Sequence, residues 1–299
     1  MTDKANQNLV SVVMAAYNAE DYVGAAIGSV LKQSYADLEL IVVNDGSTDR
    51  TAEKIEKYLV DSRVRLITQN NAGQTIAKNR GIEEAQGAYI GFCDADDLWH
   101  EEKLEKQLSK IKSDESLAVV YSDTFLIDEK GSSVASSEEV PIYEGNLLEK
   151  LLYSNFIPFG TVLVRSSCLS EIGGFNERYR MGIDWDLWLR ISTRWKISGV
   201  PEKLYYYRQW QGQMSRNYDG RYLGALEILK EFRQNHPGYA PKNIYVGATS
   251  DIYANYAYHV SLYEGYPLKL FVLIAKSIAW SPFRLATHKR VARALLKRF

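Results

Sequence analysis

Three aspartates occupy four positions in the stretch GFCDADDLWHEEK, residues 91 to 103. Asp94, Asp96 and Asp97 directly follow a run that is typical of a buried strand, and carboxylates this close repel and raise each other's pKa. A divalent cation such as Mg²⁺ or Mn²⁺ prefers carboxylate oxygens and would turn this repulsion into attraction. In the alternative interpretation, Asp97 caps a helix that starts near Leu98. The motif alone leaves both interpretations open.

Two further groups with ligand chemistry follow apolar runs. Tyr17 with Asn18 follows the first run, and an aromatic ring there can stack on a nucleobase. Asp45 in NDGSTD follows the second run, where its carboxylate can accept the N3–H of uracil or thymine, a proton that cytosine lacks. The alternative for NDGSTD is a turn with a helix cap at one of residues 47 to 49. Capping needs only one residue, so Asp45 stays available for a ligand.

The elements that position these residues alternate along the first 125 residues. Apolar, β-branched runs cover 9–15, 38–44, 64–69, 88–93 and 117–123, and helix-like stretches lie near 21–32, 49–60, 74–85 and 98–112. This alternation predicts a mostly parallel sheet with helices on both faces. Ligands of such sheets bind at the carboxyl ends of the strands, where Tyr17, Asp45 and the aspartates lie.

Later segments predict a turn or short hairpin at 128–137, a strand at 160–167, a helix in GIDWDLWLRIS and a strand in EKLYYYRQW. From Asp219 onward the pattern is helical. The usual phosphate-binding glycine motifs, G-x-x-x-x-G-K-[ST] and a G-x-G-x-x-G after the first strand, do not occur in the sequence. The Walker and dinucleotide-binding interpretations therefore lose their main support, and Tyr17 with Asn18 follows the first strand instead.

Size and composition narrow the class of protein. The chain has 299 residues, is 46% hydrophobic and carries a net charge of -1, so it can bury a substantial core and gives no general argument for a nucleic-acid partner. Cys93 and Cys168 show neither metal-ligand spacing nor a disulfide framework. The start MTDKANQN is not a signal peptide, and no run reaches the ~18 apolar residues of a membrane span. We expect a cytoplasmic protein, soluble or peripheral on the inner face of the cell membrane.

Five motifs in order, VSVVMAAYN, LELIVVNDGSTDRT, NAGQTIAKNRGI, GAYIGFCDADDLW and GGFNERYRMGIDWDLWLRI, give the chain a family resemblance. Over roughly residues 9–216 it closely resembles the family 2 inverting glycosyltransferases with the A-type nucleotide-sugar fold. The resemblance implies an α/β fold with a mostly parallel mixed sheet sandwiched by helices, followed here by a C-terminal helical extension. It also implies a nucleotide-sugar donor and a divalent cation, Mn²⁺ or Mg²⁺.

The resemblance assigns roles residue by residue. The nucleotide-binding positions are Ala16, Tyr17, Asn18, Asp45, Lys78, Asp94 and Arg208. Asp96 matches the metal-binding aspartate of the D-x-D motif, and Asp97 is expected to assist it. The cation would stabilise the negative charge of the departing nucleoside diphosphate. Trp210 stands where a histidine is frequent in relatives, in the late loop expected to close over the diphosphate.

A base for the acceptor hydroxyl is expected in GIDWDLWLRI. Asp184 and Asp186 are two residues apart on the predicted helix and point to opposite sides. Asp186 has Arg190 four residues on, which predicts an ordinary surface ion pair. Asp184 is therefore the expected catalytic base, and the alternative is that it caps the helix before Trp185.

The leading hypothesis is an enzyme that moves a sugar from a UDP- or dTDP-sugar to a hydroxyl of a glycan or lipid-linked acceptor, inverting the anomeric centre, in cell-surface polysaccharide synthesis. The alternatives are an inactive nucleotide-sugar-binding regulator and a sugar nucleotidyltransferase. Asp96 and Asp184 argue against the first, and AAYNAED replaces the Gly- and Arg-rich loop typical of the second.

We expect a catalytic domain at 1–218, with a nucleotide-sugar half near 9–125 and an acceptor half near 126–218, then a helical extension at 219–299.

The C-terminal segment differs electrostatically from the rest of the chain. From Gly265 to Phe299 there are eight Lys and Arg residues and no Asp or Glu. After Pro282 a helical stripe runs through Leu285, Val291, Ala292, Leu295, Leu296 and Phe299, with basic residues on the other side. This pattern predicts attachment of residues 283–299 to an anionic membrane surface. In the alternative, the stripe packs on the protein body.

Overall fold

The computed structural model describes residues 6–135, 140–263 and 267–296. The strands are β1 (Asn6–Ala16), β2 (Leu38–Asp45), β3 (Val64–Gln69), β4 (Gly87–Phe92), β5 (Leu98–Trp99), β6 (Leu117–Ile127), β7 (Ser133–Val134), β8 (Glu144–Gly145), β9 (Leu163–Arg165) and β10 (Lys196–Arg208). The helices are α1 (Val23–Leu31), α2 (Thr51–Glu56), α3 (Gln74–Glu83), α4 (Lys103–Lys112), α5 (Leu148–Tyr153), α6 (Ser166–Ile172), α7 (Ile183–Ile191), α8 (Tyr218–Asn235), α9 (Lys242–Tyr263), α10 (Pro267–Trp280) and α11 (Leu285–Leu296).

The described strands form one mixed sheet in the order β3-β2-β1-β4-β9-β6-β10-β5, with β7 paired to β6 and β8 to β10. Strands β3, β2, β1 and β4 are parallel neighbours, and β6 and β10 are also parallel. The short strand β9 is antiparallel to both β4 and β6. The predicted mostly parallel mixed sheet is therefore confirmed. Because β9 lies between β4 and β6, the expected nucleotide-sugar and acceptor halves share one sheet, and their division stays a prediction.

Strand β1 lies inside the sheet and is apolar on both faces, as a strand covered on both sides must be. Val12 and Met14 belong to the core that includes the apolar side of α1, whereas Val13 faces α3. At Gly81 of α3, a Cβ would lie 2.3 Å from Val13 Cγ1, so the helix can approach the strand this closely only with glycine there.

The segment after the three aspartates differs from its prediction. Leu98 and Trp99 form β5, which pairs antiparallel with Tyr206 and Tyr205 of β10, and the helix expected at 98–112 begins only at Lys103. The capping interpretation of Asp97 is therefore wrong. Local sequence favoured a helix here, but pairing with a strand about a hundred residues later determines the structure.

In the C-terminal part, helices α8, α10 and α11 each pack against α9, in agreement with the predicted helical extension. The buried carboxylate of Asp251 in α9 forms ion pairs with Arg284, at 3.0 Å, and with Arg290. Val291 of α11 is buried, so at this position the predicted stripe faces the body, as in the packing alternative. Residues 297–299 of the expected membrane segment lie outside the described residues. None of the helices in the described ranges is both long and apolar enough to span a bilayer.

Candidate active site

The loops after β1 and β2 are tied together by Asn18. Its backbone has φ 47°, a left-handed conformation that Asn tolerates better than most residues. The Asn18 side-chain carbonyl accepts the Thr48 backbone N–H at 2.9 Å, and the Asn18 backbone N–H donates to Ser47 Oγ at 3.1 Å. Ala16 is buried at the end of β1, and the ring of Tyr17 is half exposed. This arrangement presents Tyr17 to solvent on a fixed backbone.

Asp45 is buried at the end of β2 and holds the loop that follows β3. Its Oδ1 accepts hydrogen bonds from Gln69 Nε2 at 2.8 Å and from the Ala72 N–H at 2.9 Å, and its Oδ2 accepts the Gly73 N–H at 2.9 Å. The neighbouring Gly46 has φ 70°, and a Cβ there would lie 2.6 Å from a loop backbone nitrogen. A carboxylate has about four acceptor positions, so three bonds leave Oδ2 with capacity for one more donor.

Lys78 of α3 is a buried cation at the aspartate loop. Its Nζ lies 3.1 Å from Asp94 Oδ1, 3.0 Å from Gln74 Oε1 and 3.7 Å from the centroid of the Phe159 ring. Burial raises the pKa of Asp96 and of Asp184, and the charge of Lys78 partly opposes both rises. One ammonium group is thus within electrostatic reach of carboxylates from two separate segments.

Asp96 is partly exposed and accepts a hydrogen bond from Trp210 Nε1 to Oδ2 at 2.8 Å. The Trp210 ring lies 5.7 Å from that of Tyr22, centroid to centroid. Burial, followed by the charge of Asp94, raises the pKa of Asp96, and the indole hydrogen bond lowers it. The loop after β10 therefore reaches the aspartate expected to bind a metal.

Asp97 is buried and links the aspartate loop to β10. Tyr205 donates its hydroxyl to Oδ2 and Arg208 donates its backbone N–H to Oδ1, both at 2.6 Å. Burial, followed by the charges of Asp96 and Asp94, raises the pKa of Asp97 well above its ordinary value, and the two hydrogen bonds oppose this. Both oxygens have protein partners, so the described geometry gives Asp97 a positioning role, and its expected help with a metal stays a prediction.

The guanidinium group of Arg208 is bound by backbone carbonyls. Nε donates to the Asp96 carbonyl at 2.6 Å, and Nη1 donates to the carbonyls of Asp128 and Glu129, each at 3.0 Å. The group also lies 4.9 Å from the centroid of the Tyr22 ring. Arg208 joins the aspartate loop to the turn after β6, and its expected contact with the nucleotide stays a prediction.

Asp184 lies in the first turn of α7, just after Gly182, whose φ of 71° turns the chain into the helix. Its carboxylate is partly exposed, and Oδ2 accepts a hydrogen bond from Asn155 Nδ2 at 2.8 Å. Burial raises the pKa of Asp184, while Asn155 and, more weakly, Lys78 lower it. A raised pKa on a carboxylate near solvent suits a group that has to take up a proton.

Asp186 faces away from Asp184, as the helical spacing predicts. It pairs with Arg190 at 2.8 Å, and Arg190 also donates to the carbonyls of Ile172 and Gly174. The predicted ion pair is therefore confirmed. The prediction that this pair lies on the surface is wrong, because Asp186 is only 6% exposed. Arg190 also fastens α7 to the segment after α6.

The carboxylates fit a cation that arrives together with a diphosphate. In the described part of the chain, no three His, Cys, Asp or Glu side chains form a ready metal cluster. Asp94 and Asp96 are both partly exposed on one loop, and the charge of Asp94 raises the pKa of Asp96. Mg²⁺ in nucleotide sites is held by one or two carboxylates plus phosphate oxygens, which matches this donor set.

Sequence reasoning missed the partners of these carboxylates. Asn155, which binds Asp184, lies 29 residues away in a loop without periodicity. Gln74, which accepts a hydrogen bond from Lys78, lies in the motif NAGQTIAKNRGI, but no role was predicted for it. Trp210 was recognisable as unusual for its position, but its hydrogen bond to Asp96 crosses 114 residues of sequence.

Comparisons with known proteins agree with this fold. The model of the family described as glycosyl transferase family 2 matches residues 11–172. An uncharacterized glycosyltransferase of Haemophilus influenzae is 30% identical over 247 residues, which cover 79% of this chain and 76% of the relative. The putative teichuronic acid biosynthesis glycosyltransferase TuaG of Bacillus subtilis is 32% identical over 70% of this chain and 82% of its own length. Chondroitin synthase of Escherichia coli is 33% identical over 75% of this chain, but the match spans only 31% of that protein.

Solved structures share the fold. S. aureus TarS 1-349 in complex with UDP-GlcNAc superposes with a TM-score of 0.67 at 19% identity, covering 97% of this chain and 89% of that one. Mannosyltransferase PcManGT from Pyrobaculum calidifontis, in complex with GDP-Man and Mn²⁺, gives a TM-score of 0.60 at 18% identity, covering 97% and 86%. At these identities, the likeness establishes the fold of the chain.

Proposed function

Since this chain belongs to glycosyl transferase family 2, we propose that it transfers a sugar from a UDP- or dTDP-sugar to a hydroxyl group, with inversion at the anomeric carbon. The observation that carries the proposal is the convergence of Asp94, Asp96 and Asp184 around Lys78. The first two carboxylates come from a strand end that suits a nucleotide diphosphate. The third comes from a helix start that can reach an incoming acceptor.

Asp184 acts as the general base of this reaction. The acceptor oxygen forms a bond to the anomeric carbon while the bond from that carbon to the diphosphate oxygen breaks. The acceptor proton passes to Asp184, and the electron pair of the broken bond leaves with the nucleoside diphosphate. A direct displacement of this kind inverts the anomeric centre. Asn155 holds the carboxylate in place for the proton transfer.

Asp96 and Asp94 face the diphosphate side of the site. When bound, Mn²⁺ or Mg²⁺ would neutralise charge on the departing diphosphate as a Lewis acid. Asp96 is the protein ligand, Asp94 pairs with Lys78, and Asp97 fixes the loop through Tyr205. Arg208 also supports this loop, because its side chain donates a hydrogen bond to the Asp96 carbonyl.

The nucleobase site is formed by Tyr17 and Asp45. The half-exposed Tyr17 ring offers a stacking surface, and the remaining acceptor position on Asp45 Oδ2 receives the N3–H of uracil or thymine. Asn18 and Ala16 contribute by fixing the loop that carries Tyr17. Cytosine, which has no N3 proton, is disfavoured at this site.

The acceptor is a growing glycan or a lipid-linked sugar of a cell-surface polysaccharide. Relatives named for teichuronic acid biosynthesis and for chondroitin synthesis support this setting. Lipid-linked acceptors lie at the inner face of the cell membrane, so the enzyme works there as a peripheral protein. The division into a catalytic domain at 1–218 and an extension at 219–299 fits this arrangement.

The test is a panel of sugar nucleotides, assayed for release of the nucleoside diphosphate with and without Mn²⁺. We expect hydrolysis of one UDP- or dTDP-sugar, its loss with a chelator and its return with added metal. In thermal melts with metal, UDP or dTDP should stabilise the chain more than CDP does. Full turnover in excess chelator would contradict the metal assignment, and equal stabilisation by CDP would remove Asp45 from the base site.

A further inference from the structure

Helix α10 is apolar on both of its sides, which is unusual for a helix at the protein surface. One side, with Leu270, Leu273 and Ile274, is buried against the body. The other side is exposed and forms a continuous stripe, which we call the α10 face: Leu268, Phe271, Val272, Ala275, Ile278 and Ala279.

The α10 face presents large side chains to solvent. Leu268 is 77% and Phe271 is 60% exposed, and Phe283, just beyond the helix, is 96% exposed. The positions 268, 271, 272, 275 and 279 recur at helical spacing, so they lie side by side. A contiguous exposed apolar stripe of this kind marks a surface that binds a partner.

A basic, aromatic cavity lies between α8 and α9 and reaches Trp280, the last residue of α10. Its volume is about 590 Å³, and its lining includes Trp280 at the end of α10 together with Lys230, Arg233, Tyr245 and Tyr253. Lys230 and Arg233 are exposed cations, and the Arg233 guanidinium carbon lies 5.6 Å from the centroid of the Tyr245 ring. The Tyr245 hydroxyl is buried and, among the described residues, has no hydrogen-bond partner. The cavity therefore offers cations and a hydroxyl donor to an anionic group.

The charges around the face identify the occupant. Lys276 on α10 and Lys289 on α11 are exposed, and the whole sequence from Gly265 to Phe299 contains no acidic residue. Apolar side chains beside uncompensated cations match a bilayer with anionic headgroups, in which each nearby Lys or Arg contributes about 1 kcal/mol. At 14 residues, α10 is too short to span a bilayer but suits a helix lying in its surface.

A second copy of this chain fits the face less well. In a two-fold dimer the same patch meets itself, so Lys276 and Lys289 would face their own counterparts. No acidic side chain in that segment could compensate the repulsion. The charge pattern therefore favours the membrane over self-association.

We propose that the α10 face and Phe283 insert into the surface of an anionic bilayer, with a lipid phosphate bound by Lys230 and Arg233 in the adjoining cavity. The attachment expected from sequence at 283–299 is thereby centred on α10 instead: Val291 of α11 is buried and Arg284 and Arg290 bind Asp251, although Leu296 of α11 is exposed. The proposal stands on this surface and does not depend on the chemistry at Asp184.

The experiment is sedimentation of the full chain with vesicles of phosphatidylcholine, with and without phosphatidylglycerol. We expect binding to the anionic vesicles that weakens with salt. Phe271→Asp should lower the vesicle affinity by about tenfold or more, because it replaces an inserted apolar group by a charge. The matched control is Val60→Asp, at a 93% exposed position in the turn before β3, which should bind like the parent.

Charge is tested separately by Lys230→Gln and Arg233→Gln, each of which should weaken binding to anionic vesicles by about fivefold. A UDP-induced rise in the melting temperature, retained in every variant, shows that a loss of vesicle binding is not a loss of fold. Equal sedimentation with neutral vesicles, no sedimentation of the parent, or a dimer that Phe271→Asp dissociates would each overturn the proposal. Vesicle binding without any donor hydrolysis would overturn the proposed function instead.

Discussion

At the scale of single residues, Asp184 and Asp186 have opposite environments although they are two positions apart. Asp184 is partly exposed and bound by Asn155, whereas Asp186 is buried in its pair with Arg190. Helical spacing predicted which residue points where. It did not predict that Asp186 is buried, because burial depends on how α7 packs against the rest of the protein, which the spacing of its residues does not reveal.

We expect Asp184→Asn to lower kcat by about 10²-fold or more with little change in donor affinity, because the variant keeps the shape but loses the base. Asp186→Asn should leave kcat close to that of the parent. It should lower the free energy of unfolding by about 3 kcal/mol, since Arg190 would lose its buried partner. Steady-state kinetics and urea denaturation of both variants check this. The reverse pattern would assign the base to Asp186.

Asn155 controls the protonation of Asp184. Its hydrogen bond stabilises the carboxylate form and so lowers a pKa that burial raises. In Asn155→Ala this pKa should rise further, and the acid limb of the pH profile of kcat/KM should shift to higher pH, because the base acts only when deprotonated. The loss of rate at neutral pH should therefore recover as the pH is raised. Asn146→Ala, which removes a contact at the start of α5, should leave the limb in place.

Trp210 orients the carboxylate of Asp96 through its indole N–H. Donors that hydrogen-bond to a metal-binding carboxylate typically contribute 10- to 100-fold to metal affinity. We expect Trp210→Phe to weaken Mn²⁺-dependent UDP binding by about that factor in calorimetry, while Trp210→His, which keeps a donor, retains most of it. Tighter binding by Trp210→Phe would show that the indole competes with the metal instead.

At the scale of elements, the sequence correctly predicted the strands and helices whose burial follows from their own hydrophobic pattern. Strand β2 is a continuous buried run, β4 is buried at all but one position, and seven of the nine residues of α7 are buried, so each of these elements matched its prediction closely. The start of α4 did not, because β5 exists only through its pairing with β10. The exposed side of α10 was also missed, since an apolar helix does not reveal which of its sides the body covers.

Helix α11 is held to α9 by the buried carboxylate of Asp251. Asp251→Asn should lower the free energy of unfolding by about 2 kcal/mol, because Arg284 and Arg290 would keep their partly buried charges without the anion. Because α11 would be held less firmly, its backbone amides should exchange hydrogen faster in the variant. Asp219→Asn, which affects the exposed pair with Lys269, should cost less than about 1 kcal/mol.

At the scale of the whole molecule, the chain divides by charge as well as by structure. The segment from Gly265 onward has eight basic and no acidic residues, so all the acidic residues, including those of the active site, lie in the remainder. The sequence made this asymmetry visible. Which surface carries it could not be read from the sequence, because α11 turns part of its basic side inward to Asp251.

The two hydrogen bonds between Asp97 and β10 have a consequence for the kinetics of folding. Tyr205 and Arg208 reach Asp97 across 108 and 111 residues of sequence, and β10 is also the strand partner of β5. Contacts this distant form late, because closing long loops is slow. In stopped-flow refolding, the strands β1 to β4 should therefore pair first, and metal-dependent UDP binding should appear only in the phase in which β10 joins the sheet. Binding that develops in the first phase would show that the aspartate loop reaches its final shape without β10.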